Sequence, residues 1–293
     1  MNARVQRMLL SLEGLSVGDA FGEQFFFHRR LSDGGSLPPG PWPYTDDTAM
    51  ALSIVSVLMV EGQIDQDALA ASFANHYNPV RGYGPGMQEC IPRVRHGEPW
   101  RQIFASLFDD EGSFGNGASM RVAPLGAFLA ERPDDLVENA TLSAQVTHHH
   151  PEATAGAIAV AMAAALATDF TSKSHRFRRF IERVIERVPQ SVTREGISLA
   201  LELGPEVSVE EAARRLGSGY HVTTQDTVPF VIWCSARFMG DYRRALKKTI
   251  QGVGDLDTTC AMVGGIVVMS TGVEGIPQEW LRRREALPSL PLG

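Results

Sequence analysis

The sequence predicts an all-α protein, and we expect residues 1–293 to form a single compact domain of many helices. Apolar residues recur at helical spacing in one segment after another, and little of the chain alternates as a strand would. Many of these segments begin with Ser, Thr or Asp, and several end in Gly, which are the residues that start and stop helices. No repeat of fixed period and no low-complexity linker divides the chain.

The predicted helices follow one another along the whole chain. Helical spacing of apolar residues marks segments 5–21, 48–62, 65–77, 120–131, 151–170, 174–188, 193–204, 208–217, 226–240, 241–254 and 258–272. Asp65, Ser208 and Asp241 stand at the start of three of them as candidate N-caps. Residues 153–167 are rich in alanine and almost wholly apolar, so we expect them to form a central helix that others surround.

The composition is that of an ordinary globular protein with a sizeable core. The chain is 44% hydrophobic and 21% charged, and its net charge is −7 from 27 basic and 34 acidic residues. This balance argues against a general nucleic-acid binder, which normally presents a basic field. The arginine-rich stretch 176–188 also carries acidic residues, so we interpret it as a solvated helix face.

The cysteines indicate a reducing compartment. Cys90, Cys234 and Cys260 are widely separated and form neither a CxxC pair nor an even-numbered framework. Near the start of the chain, Glu13 interrupts the short apolar stretch that a signal peptide would need. The longest uncharged apolar run, 156–167, is shorter than the roughly 18 residues of a membrane span. We therefore expect a cytoplasmic protein that does not enter a membrane.

Five segments contain more Gly, Asp, Asn or His than turns alone require, and we predict them to be functional loops. They are residues 14–26, 40–48, 81–87, 112–121 and 252–259. Glycine is costly unless the backbone geometry or a close approach demands it. Turn formation therefore explains one or two such segments well and five of them poorly.

Two of these segments carry the same arrangement of acids and threonine. Residues 45–47 and 255–258 each place two aspartates and a threonine just before an apolar helix. Helix capping is the simplest explanation, because Asp and Thr suit a helix N-terminus. If the two helix starts face each other, however, four carboxylates converge, and they would repel unless protonated or bound to cations. Oxygen ligands without Cys or His suit Mg²⁺ or Mn²⁺ rather than Zn²⁺.

Seven motifs follow one another along the chain: GLSVGDAFG, YTDDTAMA, RGYGPGM, SFGNGASMRVAPLG, VTHHHPEA, TVPFVIWC and GDLDTTCAMVGGI. Together they resemble the ADP-ribosylglycohydrolase family, which includes dinitrogenase-reductase-activating glycohydrolases and ADP-ribosyl-acceptor hydrolases. These motifs run in family order from about residue 10 to residue 273, so the resemblance covers nearly the whole chain. The joint occurrence of TDDT, GNGAxMR and GDxDT is highly specific, whereas any one of them alone is not.

The resemblance implies an all-helical fold with two Mg²⁺ (or Mn²⁺) ions at the bottom of a cleft. The implied ligands are Thr45, Asp46, Asp47, Asp255, Asp257 and Thr258. It also implies hydrolysis of the bond between ADP-ribose and its acceptor, through a transition state of oxocarbenium character. The ions would orient the ribose hydroxyls and lower the pKa of a bound water. Asp47 or Asp257 would accept the proton of that water.

The resemblance further implies that the cleft binds the ADP-ribose moiety of an ADP-ribosylated protein. The implied contacts are Tyr83, Gly84, Gly86, Ser113, Phe114, Gly115, Asn116, Gly117 and His148. The open backbone of 113–117, at the start of a helix near Ala118, suits a diphosphate. Phe114, together with Phe108, would stack on the adenine.

Several neighbouring residues qualify this picture. Arg121 has two explanations, a phosphate contact or a partner for buried acids, and we favour the second. Adjacent histidines rarely converge on one metal, so His149 and His150 are expected to be structural.

Many family members carry a Glu four residues after the second Gly of GDAxG, where this sequence has Phe26, and Glu23 is a candidate substitute. This departure favours an arginine-linked over a serine-linked substrate.

Two other classes of function remain open at this point. A metal-dependent phosphohydrolase would cleave the diphosphate of a nucleotide and release AMP, because carboxylate pairs suit that chemistry too. A non-catalytic member would bind ADP-ribose without turnover or serve as a structural protein. The presence of both acid pairs and both threonines argues against the second class.

Overall fold

The structure is a computed structural model, and it describes residues 2–27, 37–170 and 176–292. Within these ranges the chain forms sixteen α-helices, three short 3₁₀ segments and no β-strand, so the predicted all-α fold is confirmed. The first eight helices are α1 (Ala3–Phe27), α2 (Asp46–Glu61), α3 (Gln66–Asn75), α4 (Pro85–Arg95), α5 (Trp100–Ala105), α6 (Gly117–Met120), α7 (Ala123–Phe128) and α8 (Pro133–Gln145). The others are α9 (Pro151–Ala167), α10 (Arg176–Ile185), α11 (Val192–Leu203), α12 (Val209–Leu216), α13 (Thr224–Phe238), α14 (Tyr242–Thr249), α15 (Leu256–Thr271) and α16 (Gln278–Arg283).

Each predicted helical segment overlaps an observed helix, although the start of the segment predicted at 174–188 lies outside the described residues. The prediction of one helix over 120–131 is wrong, because α6 ends at the first residue of this segment, Met120, and α7 starts anew at Ala123. Pro124 lies in the first turn of α7, where its missing N–H costs nothing. Helices α4, α5, α8 and α16 were not predicted. Helices α5 and α16 are too short to show periodicity, and Pro92 inside α4 is a residue that usually indicates the end of a helix.

Helices α1 and α15 pack against each other at unusually close range. Gly14, Gly18 and Gly22 repeat at four-residue spacing and therefore lie on one face of α1. A Cβ atom at Gly18 would lie 2.1 Å from the carbonyl oxygen of Cys260, and one at Gly22 would lie 2.3 Å from that of Leu256. The prediction that 14–26 is a loop is therefore wrong, because its glycines serve helix packing inside α1.

Helix α9 is the central helix of the fold, as its alanine-rich sequence predicts. Every residue of 155–167 is buried. Helices α6, α7, α8, α13 and α15 all pack against it, and small side chains allow this crowding. None of the described helices combines the length and the apolar character that crossing a membrane requires.

The amino-terminal ends of α2 and α15 point into the same region of the protein. Thr45 caps α2, and its side chain accepts a hydrogen bond from the backbone N–H of Asp47. Asp255 occupies the N-cap position of α15 without making a side-chain cap hydrogen bond, so its carboxylate is available for other contacts. The close packing of α1 on α15 fixes the position of this second helix start.

Candidate metal centre and ligand cleft

The two predicted acid clusters meet in the structure. The hydroxyl Oγ1 of Thr258 donates to Oδ2 of Asp47 at 3.3 Å, and Oγ1 of Thr45 lies 3.1 Å from the same oxygen. Thr45, Asp47 and Thr258 are buried, whereas Asp46 and Asp257 are half-buried. The starts of α2 and α15 therefore face each other and bring their carboxylates into one cluster.

Asp19 of α1 also belongs to this cluster, and sequence reasoning missed it. Asp19, Asp47 and Asp257 each place a carboxylate oxygen within 4.8 Å of the others. The carboxylate of Asp19, however, accepts hydrogen bonds from the backbone N–H and the hydroxyl of both Thr45 and Thr48. Because four donors already occupy its oxygens, we interpret Asp19 as the residue that positions the start of α2. The signal was its place in the GDAFG motif, beside the packing glycines.

Burial and mutual repulsion make this cluster electrostatically unfavourable on its own. Burial, followed by the charge of Asp19, raises the pKa of Asp46 to about 7. Burial and neighbouring carboxylates raise the pKa values of Asp47 and Asp257 well above their ordinary value. The pKa of Asp19 rises only to about 6, because the hydrogen bonds from the two threonines oppose the effect of burial.

Two oxygens of the cluster fit a cation. Oδ1 of Asp47 and Oδ1 of Asp257 are buried and accept no hydrogen bond from any residue that the structure describes. Buried carboxylate oxygens are normally paired, and a bound cation is one of the ways to satisfy them. All donors here are oxygens, so the chemistry of the site suits Mg²⁺ or Mn²⁺.

Glu23 lies within electrostatic reach of the same cluster, whereas Phe26 does not take part in it. Burial raises the pKa of Glu23 to about 7, with further contributions from the charges of Asp19 and Asp255. The side chain of Phe26, near the end of α1, is 44% exposed. Of these two residues in the GDAFGEQFF segment, only Glu23 therefore adds negative charge to the centre.

A cavity of about 580 Å³ adjoins the acid cluster, within the size range of small-molecule sites. Asp46, Asp255, Asp257 and Thr258 line one part of it. The predicted ligand loops line the rest, through Gly84, Gly86, His148 and residues 113–117. Thr45 and Asp47 lie beneath this surface rather than on it.

The glycines at 84 and 86 have no packing reason to be glycine. A Cβ at Gly84 would meet no atom within 4 Å, and one at Gly86 would meet only Leu107 at 3.9 Å. Both glycines line the cavity, so their missing side chains leave room for a ligand at the backbone. Tyr83 directly precedes Gly84, but its ring does not reach the cavity. The ring is buried and packs on that of Tyr77, with 4.8 Å between the centroids.

The glycines at 115 and 117 are explained by the approach of His148. A Cβ at Gly115 would lie 3.3 Å from Nε2 of His148, and one at Gly117 would lie 3.0 Å from the same ring. The predicted helix near Ala118 is the four-residue α6, a single turn with little dipole to offer a diphosphate. Within this loop the backbone N–H of Gly115 donates to Oγ of Ser113 and that of Asn116 donates to the carbonyl oxygen of Val222, so these two groups are already paired.

Two phenylalanines form part of the cavity wall. Phe108 and Phe114 both line it, with ring centroids 6.2 Å apart and ring planes at 36°. The ring of Phe114 also contacts the edge of His150 at 5.3 Å. His150 in turn caps α9 by accepting a hydrogen bond from the N–H of Glu152, a structural role.

Arg121 fits neither of its two predicted explanations in full. Its side chain is completely buried and does not line the cavity, so it does not contact a phosphate there. In the described part of the chain no carboxylate forms an ion pair with it. Its charge nevertheless acts at longer range, since it opposes the rise in the pKa of Asp46.

A further loop, residues 217–224, completes the cavity and was not predicted. His221, Val222 and Thr223 line the cavity beside the acids. The carbonyl oxygen of Ser218 accepts the backbone N–H of Asp255, and that of Val222 accepts the backbone N–H of Asn116. This loop therefore ties the acid cluster to the ligand loop 113–117. A Gly-Ser-Gly sequence was its only signal, and turn formation explains that adequately.

Backbone strain concentrates around this cavity. In the described residues five non-glycine positions have left-handed φ values, and Phe108 (57°) and Val222 (55°) line the cavity. Val253 (59°) lies two residues before Asp255, and the remaining pair, Asp109 and Asp110, follows Phe108. A β-branched residue rarely adopts this conformation. Strain of this kind clusters at functional sites, so its distribution supports the cavity as the functional site.

The sequence profile of the ADP-ribosylglycohydrolase family matches residues 1–291. The chain belongs to the ADP-ribosylglycohydrolase family. It is 29% identical to the mouse (Mus musculus) ADP-ribosylhydrolase ARH3 over 94% of this chain and 86% of the relative. It is 27% identical to the ADP-ribosyl-[dinitrogen reductase] glycohydrolase of Rhodospirillum rubrum, over 94% of this chain and 90% of the relative. A solved structure, titled ADP-ribosylglycohydrolase-related protein complex, superposes with a TM-score of 0.69 at 25% identity and covers 97% of this chain and 94% of its own.

These matches confirm the predicted resemblance and the enzymatic nature of the protein. As a member of the ADP-ribosylglycohydrolase family it is a glycohydrolase, and family membership supports hydrolysis that releases ADP-ribose from an acceptor. The buried acids of this ADP-ribosylglycohydrolase provide a place where metal ions could bind.

Proposed function

We propose that this protein removes ADP-ribose from a modified protein, with ADP-ribosyl-arginine as the preferred linkage, at a centre of two Mg²⁺ or Mn²⁺ ions. One observation carries the proposal: two acid clusters from distant parts of the chain converge beside a cavity that the predicted ligand loops line. The names of the mouse and Rhodospirillum relatives, which state hydrolysis of ADP-ribosyl groups, support the same chemistry.

The proposed metal ligands are Thr45, Asp46, Asp47, Asp255, Asp257 and Thr258. The hydroxyl of Thr45 donates to Oδ1 of Asp19 at 2.8 Å and its oxygen accepts the backbone N–H of Asp47, which leaves one lone pair of Thr45 free to face a cation. The unpartnered Oδ1 atoms of Asp47 and Asp257 supply further ligand atoms. When bound, two divalent ions would neutralise the carboxylates, orient ribose hydroxyls and lower the pKa of a bound water.

Asp47 and Asp257 are the proposed acceptors of the water's proton. Asp257 is on the cavity wall and can reach a substrate directly, whereas Asp47 lies beneath the wall, between Thr45 and Thr258. We therefore favour Asp257 as the proton acceptor, with Asp47 as its alternative. When the guanidine leaves the anomeric carbon with the bonding electron pair, positive charge develops on the ribose, and the water oxygen bonds to that carbon as the carboxylate takes its proton.

The remaining cavity residues are proposed to bind the nucleotide part of the substrate. Gly84 and Gly86 present backbone without obstruction from side chains, and residues 113–117 line the cavity beside them. His148 lines the cavity beside them, and the rings of Phe114 and Phe108 offer flat apolar surface for adenine. For Tyr83 we propose only a structural role beside Gly84, because its ring is buried.

The arginine linkage rests on the departure at Phe26. Where many relatives place a Glu, this chain has Phe26, whose apolar side chain is partly exposed. The nearby acid in this segment is Glu23, whose pKa is raised in part by the charges of Asp19 and Asp255. A cytoplasmic location is part of the proposal as well. It rests on the three cysteines, which are all free and buried.

The test is release of product from arginine- and serine-ADP-ribosylated peptides, with and without Mg²⁺ or Mn²⁺, followed by mass spectrometry. Asp47→Asn and Asp257→Asn should each lower the rate by about 10²–10⁴-fold, the range for loss of a general base. Asp241→Asn is the matched control, because Asp241 is also an acid at a helix start, but it caps α14 away from the cavity.

The products separate the competing functions. Metal-dependent release of ADP-ribose, lost in both cluster variants and kept in the control, would establish the hydrolase and show its linkage. Release of AMP instead would identify a phosphohydrolase. Binding of ADP-ribose with no product from either peptide would overturn the proposed reaction.

A further inference from the structure

A chain of polar contacts leads from the core of the protein to His148 on the cavity wall. It begins at Arg121, whose guanidinium is fully buried and lies over the ring of Phe73 at 4.6 Å from its centroid. One nitrogen, Nη2, donates to the carbonyl oxygen of Ser143 and to Oγ1 of Thr147, each at 2.9 Å. A guanidinium has no acceptor, so the direction of both hydrogen bonds is fixed.

The next contact in the chain sets a proton position. Oγ1 of Thr147 lies 2.7 Å from Nδ1 of His148. Because Thr147 already accepts from Arg121, its own hydroxyl hydrogen is free to donate to Nδ1. The opposite arrangement, in which Nδ1–H donates to Thr147, would leave that hydroxyl hydrogen without an acceptor, since no other acceptor contacts it within the described residues.

The other ring nitrogen of His148 faces the cavity. Nε2 lies beside Gly115 and Gly117, close enough that a Cβ atom at either position would be 3.1–3.3 Å from it. None of the described side chains or backbone groups accepts a hydrogen bond from Nε2, and His148 lines the cavity. Burial and the nearby charge of Arg121 lower the pKa of His148 to about 3, so the ring is neutral and carries one proton.

We propose that Arg121 and Thr147 are positioning residues that hold His148 as the Nε2–H tautomer, with that N–H directed at an oxygen atom of the ligand. Such a donor recognises a phosphate or ribose oxygen and gives no acceptor to a ligand N–H. The ligand part of this inference rests on the proposed function, whereas the tautomer does not. Gly115 and Gly117 are then required so that the ring can approach the loop backbone.

The tautomer is measured in the ligand-free protein by long-range ¹H–¹⁵N NMR, with His148→Gln used to assign the signal. We expect a protonated Nε2 and an unprotonated Nδ1. Thr147→Val keeps the shape of the side chain but removes the hydroxyl, so it should shift the ring towards Nδ1–H. It should also weaken ADP-ribose binding about tenfold, as expected for one lost hydrogen bond. Thr147→Ser keeps a hydroxyl at this position and should therefore keep both the Nε2–H tautomer and the affinity for ADP-ribose.

Arg121→Met should also shift the His148 ring towards Nδ1–H, because the Thr147 hydroxyl is then free to rotate and accept a hydrogen bond from Nδ1. If that variant does not fold, the two Thr147 variants decide the question alone. Nδ1–H in the wild type, or a Thr147→Val variant with unchanged tautomer and affinity, overturns the inference. An Nε2–H signal that Thr147→Val abolishes, in a protein that does not bind ADP-ribose, supports the positioning role and counts against the proposed function instead.

Discussion

The side-chain nitrogen Nδ2 of Asn116 lies 2.8 Å from Oδ2 of Asp255 and donates a hydrogen bond to it. This contact joins the loop proposed to bind ADP-ribose to a proposed metal ligand. The same amide nitrogen lies 3.2 Å from Oγ1 of Thr227, which fixes its orientation from the side of α13. Asn116 is therefore placed to orient Asp255 as well as to line the cavity.

Asn116→Ala should weaken Mg²⁺ binding and lower the hydrolysis rate by about 10–100-fold, the usual effect of removing a partner of a metal ligand. Isothermal titration with Mg²⁺ and the ADP-ribose release assay measure the two effects. Thr227→Val removes only the second contact of Asn116, so it should change both values by less than about threefold. A raised KM with unchanged Mg²⁺ affinity in Asn116→Ala would show that Asn116 acts on the substrate alone.

Thr45 and Thr48 offer a matched pair for the role of Asp19. Each donates its hydroxyl to the buried carboxylate of Asp19, so Thr48→Val should lower the free energy of unfolding by about 1.5–3 kcal/mol, and Thr45→Val should lower it further because Thr45 also caps α2. Only Thr45 belongs to the proposed ligand set. Thr45→Val should therefore also reduce Mg²⁺ affinity by about tenfold or more, whereas Thr48→Val should reduce it much less.

Denaturant unfolding and Mg²⁺ titration of the two variants check this. Equal losses of Mg²⁺ affinity would mean that both threonines act only by holding Asp19, and Thr45 would then leave the ligand set.

The stability of the metal-free protein should fall as pH rises. The pKa values of Asp46 (about 7) and Asp19 (about 6) lie above the ordinary value of 3.8, so the folded state binds more protons than the unfolded state between about pH 4 and pH 7. Stability from these groups is present at low pH and is lost as pH rises through their folded pKa values. His148, with a pKa lowered to about 3, acts in the opposite direction below about pH 6.5, but the carboxylates outnumber it.

We expect the free energy of unfolding of the metal-free protein to be at least about 1 kcal/mol lower at pH 7 than at pH 5, since one proton over one pH unit is worth about 1.4 kcal/mol. Mg²⁺ should remove most of this difference, because it binds the ionised carboxylates. Asp46→Asn should reduce the slope without metal. A metal-free protein that gains stability from pH 5 to pH 7 would contradict the raised pKa values.

The features that could be predicted from the sequence are local patterns of residues, whereas the features that were missed depend on contacts between distant segments. The acid clusters at 45–47 and 255–258 each combine capping chemistry with an apolar helix, and this pattern is visible without a structure. The roles of Asp19 and Asn116 are not visible in this way, because their partners lie 26 and 139 residues away in the chain. Tyr83 shows the converse: its motif is local, but its packing on Tyr77 decides that the ring does not reach the cavity.

The segment 14–26 shows how a correct observation led to a wrong structure. Its glycines do mark a close approach, as glycine usually does, but the approaching backbone is α15 rather than a ligand. The four-residue spacing of Gly14, Gly18 and Gly22 was a signal for helix packing that the composition of the segment concealed.

Gly18→Ala tests this close packing of α1 on α15. The added Cβ would lie 2.1 Å from the carbonyl oxygen of Cys260, a backbone atom that cannot turn away. Alanine is favoured over glycine in a helix by about 1 kcal/mol. The overlap outweighs this gain, so we expect a net loss of about 1–3 kcal/mol in the free energy of unfolding. Urea denaturation should show a lower midpoint with an unchanged m-value.

Gly84→Ala is the matched control, because a Cβ there would meet no atom within 4 Å and φ is −60°. Its free energy of unfolding should change by less than about 1 kcal/mol. Gly84 lines the cavity, however, so the same methyl group should weaken ADP-ribose binding. Stability lost at Gly18 and affinity lost at Gly84 would separate the packing glycines from the ligand glycines. A Gly18→Ala variant as stable as the wild type would show that α15 can move away from α1, and that this packing does not fix the start of α15.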